Sequence, residues 1–264
     1  LRENIETNCY YTPTEIQAYT LASMIKVNQI IIVGTGLPLV GAVLAKRYLQ
    51  PSATLIVESG LMDCRPDKLP RSVSDLRSMS CCSVTCPPFR YLGFQANELI
   101  HDHSRLIGFI GGAAIDPYGN VSSTCIGNYF KPKLRLPGSG GANGIASFCN
   151  TIIVMPHSKK CFVEAIDYIT SPGHLKGPDG RAECGLPANR GPECVISDLG
   201  VMKFDENSKY MYLAGYYPFT TPEEIKNSTG FDLDISRAKK LPIPDKDIVR
   251  ILREEIDPEK IFLE

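Results

Sequence analysis

Apolar residues in this chain fall in short uninterrupted runs rather than in strict alternation. Gln29–Val33, Thr54–Val57 and Thr151–Met155 are rich in Ile, Val and Leu and bounded by turn-forming residues. Such runs predict strands buried on both faces, as in a parallel sheet covered by helices. Arg90–Phe94, Arg105–Ile110 and Tyr210–Tyr217 read as further strands, and Cys194–Phe204 as a hairpin around Leu199-Gly200. A helical turn is expected near Asn97–Ile100. Between the strands lie helical signals. Thr12-Pro13-Thr14-Glu15 is a capping box with Pro at the first helical position, predicting a helix to about Lys26. Thr221-Pro222-Glu223-Glu224 repeats the device, with Gly230 as its stop, and Asp245 caps a last helix through Glu255.

Two Gly-rich loops interrupt this pattern. Gly34-Thr35-Gly36-Leu37-Pro38 turns the first strand into a helix running to about Tyr48, and Gly138-Ser139-Gly140-Gly141-Ala142-Asn143-Gly144 is followed by the strand at Thr151. Pro70–Met79 reads as a short helix, and Asp116-Pro117-Tyr118-Gly119-Asn120 as a turn between two strands. Ser171–Gly191 is rich in Pro and Gly and is expected to form a long surface excursion serving a subunit interface. The whole predicts an α/β chain, residues 1–264 as one domain, with a three-layer open, mostly parallel sheet.

A net charge of −1 argues against a nucleic-acid binder, which needs a basic face. The uncharged, mostly apolar run Ile30–Ala45 has 16 residues against the roughly 20 a membrane span requires, and Gly and Pro break it. Leu1-Arg2-Glu3-Asn4 has no signal-peptide character; beginning without Met, the chain leaves room for residues upstream. Ten cysteines without framework spacing then suggest reduced thiols in a cytoplasm. Cys81-Cys82-x3-Cys86, with Cys64 nearest, lacks the second Cys pair of a zinc site, so no metal site is assigned. The side chains of His101-Asp102-His103 point apart in either regular structure, and His157 and His174 read as ordinary surface or loop residues.

The candidate chemistry lies at the second strand. Leu55-Ile-Val-Glu58-Ser-Gly60 places an acid at the carboxyl end of a buried strand, where open α/β sheets hold their ligands, so Glu58 is the candidate nucleophile. Ser59 lacks the Gly-x-Ser-x-Gly elbow, since Val57 occupies the first Gly position. Leu39 stands where a dinucleotide fingerprint needs Gly, and neither Gly loop carries a Gly-Lys-Ser/Thr. The loops are either tight turns or N–H donors for an oxyanion. Lys131, Lys133 and Arg135 form a small basic patch, either solvated or facing an acidic substrate or a CoA phosphate.

Taken in order, several segments resemble the family I CoA-transferases, in the beta-type chain of their glutaconate branch. They are Val33–Leu39, Val57–Asp63, Pro70–Val73, Phe109–Ala113, Ile115–Val121, Gly138–Gly144, Thr229–Asp234 and Arg253–Pro258. The resemblance implies the isomerase-like sheet of that family. It implies Glu58 as the nucleophile, carrying CoA as a glutamyl thioester, and oxyanion stabilisation by Gly140, Gly141 and Ala142. It further implies substrate or CoA binding by Gly34, Thr35, Gly36, Ser59, Gly138, Asn143 and Arg71, with Arg71 or Arg77 meeting a carboxylate acceptor. Where some relatives carry an Asn after the 116–120 turn, this chain has Ser122-Ser123. CoA is then a substrate, no cofactor is permanently bound, and an alpha-type partner of related fold completes a heterotetramer or larger assembly. A CoA-thioester hydrolase or decarboxylase of the same fold is the alternative activity. A sugar-phosphate sensor, a cysteine-based metal module and a purely structural subunit are more distant readings.

Overall fold

The computed structural model describes residues 10–57, 59–72, 75–79, 82–86 and 105–263. Strands β1 (Ile30–Val33), β2 (Thr54–Val57), β5 (Leu106–Ile110), β10 (Asn150–Val154) and β11 (Gly191–Ile196) form the parallel centre of the sheet. Short antiparallel strands β3 (Leu61–Met62) and β4 (Val84–Thr85) extend it beyond β2. On the other side, β12 (Gly200–Phe204) and β13 (Met211–Tyr216) are antiparallel, and β14 (Lys239–Lys240) closes that edge. Among the described residues the order is β14-β13-β12-β11-β10-β5-β1-β2-β3-β4. The expected mostly parallel α/β sheet is therefore present. Two small hairpins stand apart: β6 (Ala114–Ile115) with β7 (Val121–Ser122), across the expected turn, and β8 (Cys125–Ile126) with β9 (Leu134–Arg135).

Helices cover both faces. Ile31, Val33, Leu55, Ile107 and Phe109 pack against α1 (Pro13–Ser23), α2 (Leu37–Leu44) and the C-terminal residues Leu252 and Ile256. Their neighbours Ile32, Ile56, Leu106 and Ile110 face the opposite layer, with Ile145 of α3 (Ala142–Phe148) and Ile225 of α5 (Pro222–Asn227). Each such fully buried side chain contributes about 1.5–3 kcal/mol. Both capping boxes form: Thr12 Oγ1 accepts from the Glu15 N–H, and Thr221 Oγ1 from that of Glu224. Asp245 caps α6 (Lys246–Ile251) as expected. Among the described residues no helix is long and apolar enough to cross a membrane.

Several expectations are corrected. α3 stands between the second Gly loop and β10, where the sequence suggested only loop. Ala-Asn-Gly-Ile-Ala-Ser-Phe is a weak helix former, but Ile145 packs onto Gly108, where an added Cβ would lie 2.0 Å from Ile145 Cγ2. Instead of a helix over 70–79, among the described residues of that stretch only Leu76–Met79 is helical, as a 3-10 turn. The Asp75 carboxylate accepts from the Arg71 and Arg77 amides at 2.9 and 3.0 Å, the side-chain competition that disfavours helix. The segments proposed over 90–94 and 97–100, and His101-Asp102-His103, lie outside the described residues.

Ser171–Gly191 exposes much of its length, as at Lys176, Asp179 and Ala182–Gly185, but it is anchored in the core. It contains α4 (Gly180–Glu183), whose Arg181 is 1% exposed. That guanidinium donates to the carbonyls of Ala146 (3.2 Å), Ser147 (2.8 Å), Gly173 (2.9 Å) and Pro187 (3.0 Å). Two of these belong to the last turn of α3, whose carbonyls lack intrahelical donors. The 116–120 turn is tied to the same segment: Asn120 Oδ1 accepts from the Gly173 and Leu175 amides, and Asn120 Nδ2 donates to Asp116 at 2.8 Å.

His157 and His174 lie in loops, as expected, but their rings are packed rather than solvated. His157 stacks on Phe162 with ring centroids 3.9 Å apart, its nitrogens 3.1 Å from Ser197 Oγ and 3.0 Å from Thr229 Oγ1. His174 is half-buried against Phe204 and 3.3 Å from the Pro192 carbonyl. Burial lowers both imidazoles from 6.5 to about 4. Buried thiols move the other way: Cys64, Cys149 and Cys194 are each pushed up to about 12. Cys64 packs with Val57, Leu61 and Cys82 in a small apolar cluster; Cys81 lies outside the described residues.

The buried guanidinium and imidazoles can be tested through stability. Arg181→Met keeps bulk but removes every donor, and should lower the unfolding free energy in urea by roughly 3 kcal/mol or more. A loss under about 1 kcal/mol would mean the carbonyls find other partners. The histidines stay neutral in the folded chain where the unfolded chain takes up protons. Their effect is nil above pH 6.5; as pH falls from 6.5 toward 4, stability drops by up to about 1.4 kcal/mol per pH unit for each. His157→Gln should roughly halve the slope of the urea midpoint between pH 6.5 and 5. An unchanged slope would place the proton uptake elsewhere.

Candidate active site

Between β1 and β5 the chain's connections diverge. β1 leads through α2 to β2 on one side, while β5 leads on toward β10 on the other. In an open α/β sheet this switch point leaves a crevice beyond the carboxyl ends of the strands. A cavity of about 600 Å³ lies there, walled by Val33 and Gly34, by Ile110 and Gly111, and by Met155 and Pro156. Ala142 and Ile145 of α3 close another side.

Both Gly loops reach this cavity. Gly34 and Thr35 line it from the first loop, Gly138 and Ser139 from the second. A Cβ added at Gly34 or Gly138 would meet nothing within 4 Å, so packing does not demand glycine there. What the missing side chains provide at these two positions is free space against the backbone. Gly138 also has φ +97°, a conformation an L side chain rarely adopts.

The second loop is built as a turn into α3. The Ala142 amide donates to the Ser139 carbonyl at 2.9 Å, and the Gly138 amide to that of Ser123 at 2.9 Å. The Gly140 N–H has no hydrogen-bond partner among the described residues. Asn143 Nδ2 donates to the Thr170 carbonyl at 2.8 Å, and Thr170 Oγ1 accepts from the Ser123 amide at 2.8 Å. Asn143 thus fastens the loop to neighbouring backbone. Gly36 is not among the residues of the cavity wall; its carbonyl accepts from the Leu39 amide at the start of α2.

Glu58 lies outside the described residues. Its chain neighbours are placed: Val57 ends β2 and pairs with Val33, the residue before Gly34 on the cavity wall. The Gly60 amide donates to the Val57 carbonyl at 2.9 Å, closing the reversal into β3. Ser59 is exposed and is not part of the cavity wall. Arg71 is also away from it: Glu259 gathers Arg71 (3.3 Å), Arg77 (3.4 Å) and Lys68 (3.4 Å) near the C-terminus. These pairs lower the Glu259 carboxyl below its usual range, Lys68 contributing most.

Other residues of the wall carry no motif. Thr14 and Gln17, one helical turn apart on α1, line the cavity, as do Ser123 and Asp198. Asp198 Oδ1 accepts the His157 amide at 2.6 Å, in the turn between β11 and β12. The only sequence trace of Gln17 is a polar residue between Ile16 and Ala18, both fully buried.

The molecule has well-matched relatives. A model of the coenzyme A transferase family matches residues 14–228. The B-type subunit of the glutaconate CoA-transferase of Acidaminococcus fermentans is 55% identical over 96% of each chain. The crystal structure of that organism's glutaconate coenzyme A-transferase superposes with a TM-score of 0.94, covering 97% of this chain and 98% of that one. The B-type subunit of the 3-oxoadipate CoA-transferase of Pseudomonas knackmussii is 34% identical over 87% of each chain. The decarboxylase AibA/AibB, at 22% identity and a TM-score of 0.77 over 94% of this chain and 95% of that one, shares the fold. With a family match over most of its length and close relatives among such subunits, the chain belongs to the coenzyme A transferase family.

Proposed function

We propose that this chain is the beta-type half of a heteromeric CoA-transferase. It moves CoA from an acyl-CoA to a dicarboxylate such as glutaconate, together with an alpha-type partner of related fold. The observation that carries this reading is the 55% identity, over 96% of the chain, to the B-type subunit of a glutaconate CoA-transferase. The cavity at the switch point, with both Gly loops on its wall, supports it.

In this reading the Glu58 carboxylate attacks the thioester carbonyl of the donor. The C–S bond breaks, CoA leaves as a thiolate, and an acyl-glutamyl anhydride remains. The thiolate then attacks the glutamyl carbonyl and expels the donor acid as a carboxylate, leaving CoA on Glu58 as a thioester. An acceptor carboxylate repeats these two steps in reverse, giving the new acyl-CoA and free Glu58.

Each addition creates an oxyanion. The Gly140–Ala142 loop is assigned to stabilise it, with the Gly140 N–H as the donor not engaged elsewhere among the described residues. A pre-aimed donor of this kind contributes roughly 3–4 kcal/mol. Gly34 and Gly138 leave backbone open to the ligand, and Asn143 holds the second loop in place. Anhydride and thioester must be kept from water, which the alpha-type partner accomplishes by covering the cavity. Arg71, ion-paired with Glu259 and outside the cavity wall, is given no part in these steps.

The test uses this chain co-produced with its partner. Acyl-CoA followed by borohydride should reduce the Glu58 thioester to an alcohol, found by peptide mass mapping and absent without donor. Glu58→Gln should lower kcat by about 10³-fold or more. Reduction at another residue, or a near-normal rate in the variant, would overturn the assignment. CoA release that needs no acceptor would instead assign a hydrolase.

A further inference from the structure

Gln17 is 5% exposed and lines the cavity, yet its side-chain amide has no hydrogen-bond partner among the described residues. With no protein partner, this amide on the cavity wall has its donors and acceptor open to a ligand. The Ser123 hydroxyl, also on the cavity wall, is fully buried without a partner, which costs stability unless a ligand supplies one. An unpartnered amide and a buried orphan hydroxyl on one cavity wall make it a site prepared for a ligand with dipoles of its own.

The position of Gln17 is rigid. α1 lies so close to α2 that a Cβ at Gly41 would fall 2.6 Å from Leu21 Cβ and 3.0 Å from the Ala18 carbonyl. Ile16, Ala18, Leu21 and Ala22 are fully buried around it. At its N-terminus α1 is held by the capping box and by the Arg253–Glu15 ion pair at 2.6 Å. The amide is therefore presented from a helix anchored by close packing on α2 and by its capped, ion-paired N-terminus.

The charge of the wall selects the ligand. No Lys or Arg lines the cavity among the described residues, and its one charged residue there is the acid Asp198. A free carboxylate or phosphate would find no cation on that wall. The remaining surface is largely aliphatic and aromatic, including Ile32, Val33, Phe109 and Met155. A neutral chain of amides and methylenes is the complement of such a surface.

An acyl-CoA is anionic at its nucleotide end, and a dicarboxylate acyl group is anionic at the other. Only the pantetheine arm between them is neutral and carries secondary amides. Resting on the CoA-transferase reading above, we propose that Gln17 is a positioning residue that binds a pantetheine amide, carboxamide to carboxamide. Its Nε2 donates to the carbonyl of that amide, whose N–H points the opposite way in the trans form, and Ser123 Oγ adds a further bond. Binding at this non-reacting part of the substrate holds the thioester carbonyl in register for attack, so its loss lowers kcat as well as raising KM.

The experiment compares three donors of one acyl group in the assembled complex: the CoA thioester, the pantetheine thioester and a simple S-propyl thioester. Gln17→Leu should lower kcat/KM about tenfold for the first two and leave the third unchanged. Gln17→Glu keeps the side chain's shape but loses the donor, and should show the same donor pattern should the leucine variant fail to assemble. Ser123→Ala should repeat it more weakly. An equal loss on all three donors would make Gln17 an acyl-recognition or packing residue and overturn the proposal. So would a loss confined to the CoA thioester, which would place it at the nucleotide end, or no loss at all. A wild-type complex that transfers from none of the three would remove the CoA-transferase reading itself, and this proposal with it.

Discussion

Parallel, in-register pairing of β1 with β2 and β5 is the constraint on which the site depends. Ile30 pairs with Thr54 and with Leu106, and Val33 with Val57, so the strands end level with one another. Both faces of these strands are covered, which leaves little place for polar groups along their length. Chemistry is confined to the carboxyl ends, where the backbone leaves the sheet. A slip of one residue between β1 and β2 would turn the side chains of one strand to the opposite layers and mismatch their packing on both. The hydrophobic packing that stabilises the fold thus also sets the separation of Gly34 from Val57, the residue after which Glu58 follows.

Around that fixed centre the loops are held by side chains rather than by ladders. Asn120 joins the 116–120 turn to Gly173 and Leu175, Asn143 joins the second Gly loop to Thr170, and Asp198 accepts the His157 amide. Each uses a short amide or carboxylate to satisfy backbone groups of another stretch, which irregular chain requires when it is buried. The cavity wall inherits its rigidity from these bonds.

The central strands, the two capping boxes and the first Gly loop were legible because they are local: run length, a four-residue motif, a Gly-x-Gly after a strand. α3 was not, since Ile145 forms a helix by packing onto Gly108, a residue far away in sequence. Arg181, His157 and His174 misled for the same reason; their types suggest surface, and only carbonyls and rings from other elements explain their burial. At the site, the glycines announced themselves, whereas Gln17 and Asp198 belong to no motif and meet only through the fold. Arg71 shared a resembling segment but not the cavity.

Arg181 bears on how this molecule opens. Its guanidinium gathers carbonyls from the end of α3, from Gly173 and from Pro187, stretches that a locally fraying loop would have to release together. A Pro- and Gly-rich segment ordinarily exchanges its amide protons through small, frequent openings. Here detaching the 171–191 segment would carry Arg181 into water and leave the Ala146 and Ser147 carbonyls at the end of α3 without their donor, which couples the opening of this segment to that of α3.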